Sequence, residues 1–306
     1  MPFPDLRPVD DLAPAAWLVD SVDTFGPTVG TMLPAGFAAH ARVLHRPDDG
    51  LPDETSARSW AEVAQRHGTV VHPEVQWTAL TGGRVDSPHD PTDPESPTDE
   101  PTCATLDRLT LPLLARVLAE HTTTPERCHT ALWEGFGSSP WSWRDRPTWR
   151  LPGRTHWLFA PVPVVDVPAL SVELQVRGAE EDLRRHGELR TLVIGGPGND
   201  DPVARAEASQ RWVAWLRESG DVQSPTWWWP EDRAWVVHSE IDHDSTLVAG
   251  SRDLVAALLD EPGIECLEVT ARTSLLAGAD RVNGDGPGEG PGEGPGEGPG
   301  EGSADG

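Results

Sequence analysis

The sequence contains no lysine and no tyrosine: all 24 of its basic residues are arginines. Without lysine there is no Walker-type phosphate lysine, no strand lysine of a protein kinase and no Schiff-base lysine for pyridoxal phosphate. Without tyrosine, mechanisms that need a phenol as acid or nucleophile are closed. Isoleucine (3) and asparagine (2) are also scarce, a pattern that fits GC-rich codon usage. Cys103, Cys128 and Cys266 are widely spaced and form no CxxC pair, so neither a disulfide framework nor a cysteine-rich zinc site is suggested. No apolar run approaches the ~18 residues of a membrane span; the longest, residues 158–165, holds eight, two of them prolines. The acidic, proline-rich start (MPFPDLRPVDD) does not read as a secretory signal. These absences together lead to an expectation of a cytoplasmic protein with free thiols.

What the chain has in excess is acid, with 50 Asp and Glu and a net charge of −26 over 306 residues. Residues 86–101 and 283–306 each carry six acids and no base, and the second stretch repeats PGEG four times. With those twelve acids set aside the charge falls to −14, still enough to repel a phosphate backbone. Nucleic acid is therefore excluded as a partner, and a membrane is too, whereas a basic protein partner suits the charge. Segments so poor in apolar residues cannot offset their chain entropy. The expected organisation is an N-terminal segment (1–85) packing on the main core, a disordered acidic linker (86–102), the main core (103–282) and a disordered tail (283–306).

Helices are expected at Leu12–Val19, at Trp60–Arg66 behind a Ser59 cap and ahead of Gly68, and at Thr110–His121. Two more are expected from Pro202 to before Gly220, with a stripe of Ala204, Ala208, Trp212, Trp215 and Leu216, and from Ser251 to Pro262, burying Leu254, Val255, Leu258 and Leu259. Strands are expected at Thr28–Leu33, Ala39–Leu44, Thr130–Gly135, Thr155–Ala160, Leu189–Ile194, Ala234–Ile241, Ser245–Ala249 and Ile264–Val269, and Val70–Leu80 reads as extended. This implies a mixed α+β fold with a mainly antiparallel sheet and flanking helices, ending in a β-hairpin–helix–strand unit.

PAGFAAHARVLH (34–45), SWAEVA (59–64), TPERC…LWEGFG (124–137) and WPEDRAWVV…EIDHDSTLVAGS (229–251) resemble an uncharacterised protein family common in high-GC Gram-positive bacteria. The resemblance covers most of the expected folded chain. It implies one folded unit and no particular reaction.

Three constellations bear on chemistry. In His238-Ser-Glu240-Ile-Asp242-His243-Asp244, strand alternation puts His238, Glu240 and Asp242 on one face, where they, with Asp244, could hold a divalent metal such as Mn²⁺, Zn²⁺ or Mg²⁺. The competing reading is a half-solvated hairpin. Leu192-Val-Ile-Gly-Gly-Pro-Gly-Asn-Asp-Asp-Pro202 has a phosphate-loop layout, but its aspartates would repel a phosphate, and a loop ending in an Asp201 cap explains every residue. Among 14 tryptophans, Trp227, Trp228 and Trp229 are consecutive. One short strand cannot easily bury all three, so they form a candidate aromatic platform, next to Asp232 and Arg233. Cys128 sits between Arg127 and His129, yet neighbours on a strand face opposite ways, which argues against an activated thiol. No GxSxG motif is present. The leading expectation is thus a non-enzymatic binding or regulatory protein using the Trp227–Trp229 and Asp232–Arg233 edge with the adjacent 240–246 turn. The alternative is a metal-dependent hydrolase on the His238/Glu240/Asp242 face.

Overall fold

The computed structural model describes residues 3, 5–22, 24, 26–47, 59–82, 100–137, 139–187, 202–219 and 223–284. Most of the acidic linker, the Leu189–Ile194 strand, the glycine-rich loop up to Asp201 and almost all of the tail lie outside these residues.

Eight strands are described: β1 (Ala39–Leu44), β2 (Cys128–Trp133), β3 (Trp149–Leu151), β4 (Arg154–Leu158), β5 (Trp227–Pro230), β6 (Val236–Ser239), β7 (Ser245–Gly250) and β8 (Cys266–Val269). They form one antiparallel sheet in the order β3-β4-β2-β5-β6-β7-β1-β8. Between them run α1 (Ala16–Ser21), α2 (Val29–Met32), α3 (Trp60–His67), α4 (Trp77–Leu80), α5 (Thr110–Glu120), α6 (Val167–His186), α7 (Pro202–Ser219) and α8 (Arg252–Asp260). The fold is mixed α+β, and its last elements are the β6–β7 hairpin, α8 and β8. Among the described residues no helix is long and apolar enough to cross a membrane.

Local chemistry sets the helix ends. Ser59 and Glu62 form a reciprocal capping box on α3, and Gly68, at φ +69°, closes it in the left-handed conformation that glycine adopts without strain. Ser251 Oγ accepts from Leu254 N–H at 3.1 Å to start α8. Asp107 Oδ1 accepts from the backbone N–H groups of Leu109 and Thr110 at the start of α5.

One face of the sheet is apolar. Val43, Trp228, Val237 and Val248 pack there against Leu114 and Leu118 of α5 and Leu254 and Leu258 of α8, each such side chain contributing roughly 1.5–3 kcal/mol on burial. The Trp235 indole N–H donates to Leu118 O at 3.0 Å, so this core leaves that donor satisfied. The other face is apolar only in part: Leu18, Val29, Met32 and Leu33 cover Trp227, Trp229, Val236 and Leu247, and α3 and α4 cover Leu44 at the β1–β8 side.

Several local expectations are corrected. Residues 28–33 are not a strand. Thr28 and Thr31 cap each other's backbone and side chain to start α2, and Gly30 lies so close to Ala271 that a Cβ would come within 2.8 Å of its carbonyl oxygen. The Val70–Leu80 stretch ends in α4. Among the described side chains of α7, Ser209, Val213 and Leu216 are buried whereas Trp215 is exposed, because this helix rests on α6; Ala204 lies outside the described side chains. Leu259 is likewise exposed, off the Leu254/Val255/Leu258 stripe. The 20-residue α6 had no counterpart among the expected elements. Its apolar stripe is interrupted by Glu173, a buried carboxylate held between Arg177 (3.3 Å) and Arg217 (3.1 Å).

Candidate functional site

Residues paired across antiparallel strands share a face, so the register defines a continuous row. His156 on β4 pairs with Trp149 of β3 and with Trp133 of β2. Two residues along β2, Ala131 pairs with Trp227 of β5, which pairs with His238 of β6. The His156 imidazole stacks on the Trp149 indole with 4.9 Å between centroids, and His238 stacks on Trp227 at 3.8 Å. This row continues the partly apolar face and makes one end of it polar.

Arg154, two residues before His156, reaches across to the end of β6. Its Nη2 donates to Glu240 Oε1 at 2.5 Å and to Asp242 Oδ2 at 2.9 Å, and its Nε donates to Glu240 Oε1 at 3.1 Å. The guanidinium lies 5.6 Å from the Trp133 ring centroid. Gly135 is packed so close under that ring that a Cβ would fall 2.1 Å from it, so only glycine fits beside Trp133.

Along this row several buried polar atoms have no hydrogen-bond partner among the described residues: both ring nitrogens of His156, the indole N–H groups of Trp149 and Trp227, and Glu240 Oε2. Burial drives the His156 pKa down to about 3, with the Arg154 charge adding to the effect. Burial also drives His238 to about 3, against a hydrogen bond from its Nδ1 to Thr226 O at 3.1 Å. Both imidazoles are neutral at physiological pH. Burial raises the Glu240 pKa, and its hydrogen bonds to Arg154 oppose that shift. His238 Nε2 stands 3.7 Å from Glu240 Oε2.

The proposed metal set is only half assembled. His238 and Glu240 share the face as alternation demanded, but the Arg154 guanidinium takes the position between Glu240 and Asp242 that a cation would need. Asp244 turns away to Arg42 Nη2 at 3.2 Å. Among the described residues no group of three or more His, Cys, Asp or Glu side chains is placed to hold a metal ion.

The triple-tryptophan platform is also absent from the surface. Trp227, Trp228 and Trp229 are 1, 0 and 1 % exposed, because β5 lies mid-sheet with both faces covered. The adjoining turn is a structural tie. Asp232 Oδ1 accepts from Thr122 Oγ1 and Ala234 N, and Oδ2 accepts from Thr123 N and Oγ1. Arg233, at φ +55°, lies 5.3 Å from the Trp17 ring. Cys128 is buried with its thiol pKa pushed up by desolvation, the reverse of activation.

Arg154, His156, Trp149 and Trp133 were not singled out as site residues. The expected strands at 155–160 and 130–135 contained His156 and Trp133, but none was expected at Trp149 or Arg154, and nothing in the sequence foretold that β4 and β6 would be bridged.

No family model, curated protein or solved structure matches the chain.

Proposed function

We propose that the protein is a non-enzymatic, cytoplasmic binding protein whose site is the polar end of the sheet around His156, Glu240, Trp149 and Trp227. One observation supports the reading: both ring nitrogens of a fully buried histidine, His156, lack a partner among the described residues. An unmet buried polar atom costs roughly 1–3 kcal/mol, and a ligand that completes the network is a physical reason for a fold to tolerate it. Catalysis has less support. His156 gives its nitrogens to no serine, threonine or cysteine, as a base activating a nucleophile would. The metal-dependent hydrolase would need the position that Arg154 fills. Membership of the family that the motifs resemble belongs to the same proposal and brings no activity with it.

The test is ligand-observed NMR on the full chain with a library of small polar molecules, repeated with His156→Phe. Compounds that bind the parent and not the variant support the reading. Hits that bind both alike, or no hits, overturn it.

A second reading is favoured by the net charge of −26 and by Asp242, whose side chain is 74 % exposed on the 240–246 turn. A basic protein partner would dock there. An arginine-rich peptide should then bind at low salt, dissociate at high salt and lose affinity for D242N.

A further inference from the structure

The structure assigns a site of spontaneous modification at Asn283-Gly284, where loss of the Asn283 amide as ammonia unfastens a C-terminal strap. Only two asparagines occur in the chain, and Asn283 is followed by glycine, the neighbour that least hinders attack on an asparagine side chain by the next backbone nitrogen. Residues 270–284 follow β8 as an irregular segment laid along the N-terminal part of the fold. Gly30 N donates to Ala271 O, Val29 N to Thr273 O and Leu275 N to Pro27 O. Ser274 N donates to the Glu74 side chain at 3.0 Å. The far end is fastened by Asp280, which is 2 % exposed. Its carboxylate accepts from His72 Nε2 at 2.7 Å, from Gln76 N at 3.1 Å and from Asn283 N at 3.0 Å.

The Asn283 side chain closes the fastening. Its Nδ2 donates to Asp280 Oδ2 at 2.8 Å and to Val70 O at 2.9 Å, and its Oδ1 accepts from Val70 N at 2.8 Å. Both donated bonds belong to the one atom that deamidation removes. In the product an oxygen stands in place of that nitrogen and faces two acceptors, one of them the buried Asp280 carboxylate. Like charges at hydrogen-bond distance repel, the more strongly away from water. The attacking group is free: Gly284 N–H makes no hydrogen bond among the described residues. Gly284 is exposed, at φ +100°, with open space around it. Once hydroxide takes its proton, the Gly284 nitrogen bonds to Asn283 Cγ and ammonia leaves, closing a succinimide ring. Water then opens the ring to aspartate or isoaspartate, so one water is consumed for each ammonia released. The bonds on the side chain must open before Cγ can reach that nitrogen, so the fastening slows the reaction that destroys it.

The experiment incubates the full-length protein at mildly alkaline pH, folded and in urea, and follows the trypsin fragment 282–306 by mass spectrometry. Asn283 is the sole side-chain amide in that fragment, so the exchange of NH2 for OH reads directly. The folded protein should deamidate at least tenfold more slowly than the unfolded chain, and Asp280→Ala should speed the folded reaction at least threefold. Should that variant fail to fold by circular dichroism, His72→Phe, which removes one donor to Asp280, takes its place with the same expected gain. In Asn283→Asp, hydrogen exchange of the Gln76 amide, held by Asp280, should quicken at least tenfold. Equal rates in the folded protein and in urea overturn the fastening. No conversion of the folded protein over a hundred half-lives of the unfolded chain overturns the modification site. Unchanged Gln76 exchange in Asn283→Asp overturns the release of the strap.

Discussion

Arg42 and His156 lie on the same face of the sheet, on β1 and β4, and each is almost wholly buried, 1 % and 0 % exposed. Their surroundings answer them in opposite ways. Arg42 spends every arm of its guanidinium: Nε donates to Ser245 Oγ at 2.9 Å, Nη1 to the carbonyls of Pro73 and Val75, and Nη2 to Asp244. It ties β1, β7 and the loop before α4 together, and burial lowers its pKa against the pull of Asp244. The His156 ring, across the sheet, has a stacking contact with Trp149 and no hydrogen bond among the described residues. Two polar residues equally removed from water thus mark different tasks. A closed network ties the architecture together, and the His156 ring adds no such tie among the described residues.

Breaking the closed network should have the largest effect. Arg42→Met strands Asp244 and two backbone carbonyls, and a loss of about 3–5 kcal/mol is expected, read from urea unfolding. His156→Phe should do the opposite of what its burial suggests. Replacing unpartnered nitrogens with an apolar ring of similar shape should hold stability within about 1 kcal/mol of the parent, or raise it. A loss comparable to that of Arg42→Met would show that His156 is hydrogen-bonded in solution.

The same variant should flatten the pH dependence. The His156 pKa is about 3 in the fold against 6.5 unexposed to it, so between those values the unfolded chain holds the extra proton. Stability therefore falls as pH drops from about 6.5 towards 3, by up to about 1.4 kcal/mol per pH unit from this one group. His156→Phe should remove that slope contribution in unfolding measured at pH 4–6. The smallest effect belongs to Asp242→Asn, which removes an exposed partner of Arg154 and should change stability by less than about 1 kcal/mol, less still at high salt.

How far these features could be read beforehand differs by element. β1, the α3 box from Ser59 to Gly68 and the Ser251 cap follow from residues next to one another in the chain, and so does the shared face of His238 and Glu240. The burial of Trp227–Trp229 does not: an all-apolar run fits a strand covered on both sides, but only the strand order places β5 in mid-sheet. α6 hid behind Glu173, whose burial depends on Arg217 from α7. The candidate site was half visible for the same reason. Glu240 was evident on its own strand, whereas its partner Arg154 lies 86 residues earlier.

The position of β1 bears on how the chain reaches this state. Residues 39–44 are flanked by β7 and β8, and the Arg42–Ser245 bond joins groups 203 residues apart. The N-terminal strand must wait on the ribosome until nearly all of the described chain has been made. Closing such long loops before any pairing rewards them makes for slow folding. During that delay both edges of β1 are open to other extended chains, the kind of intermediate on which chaperones act.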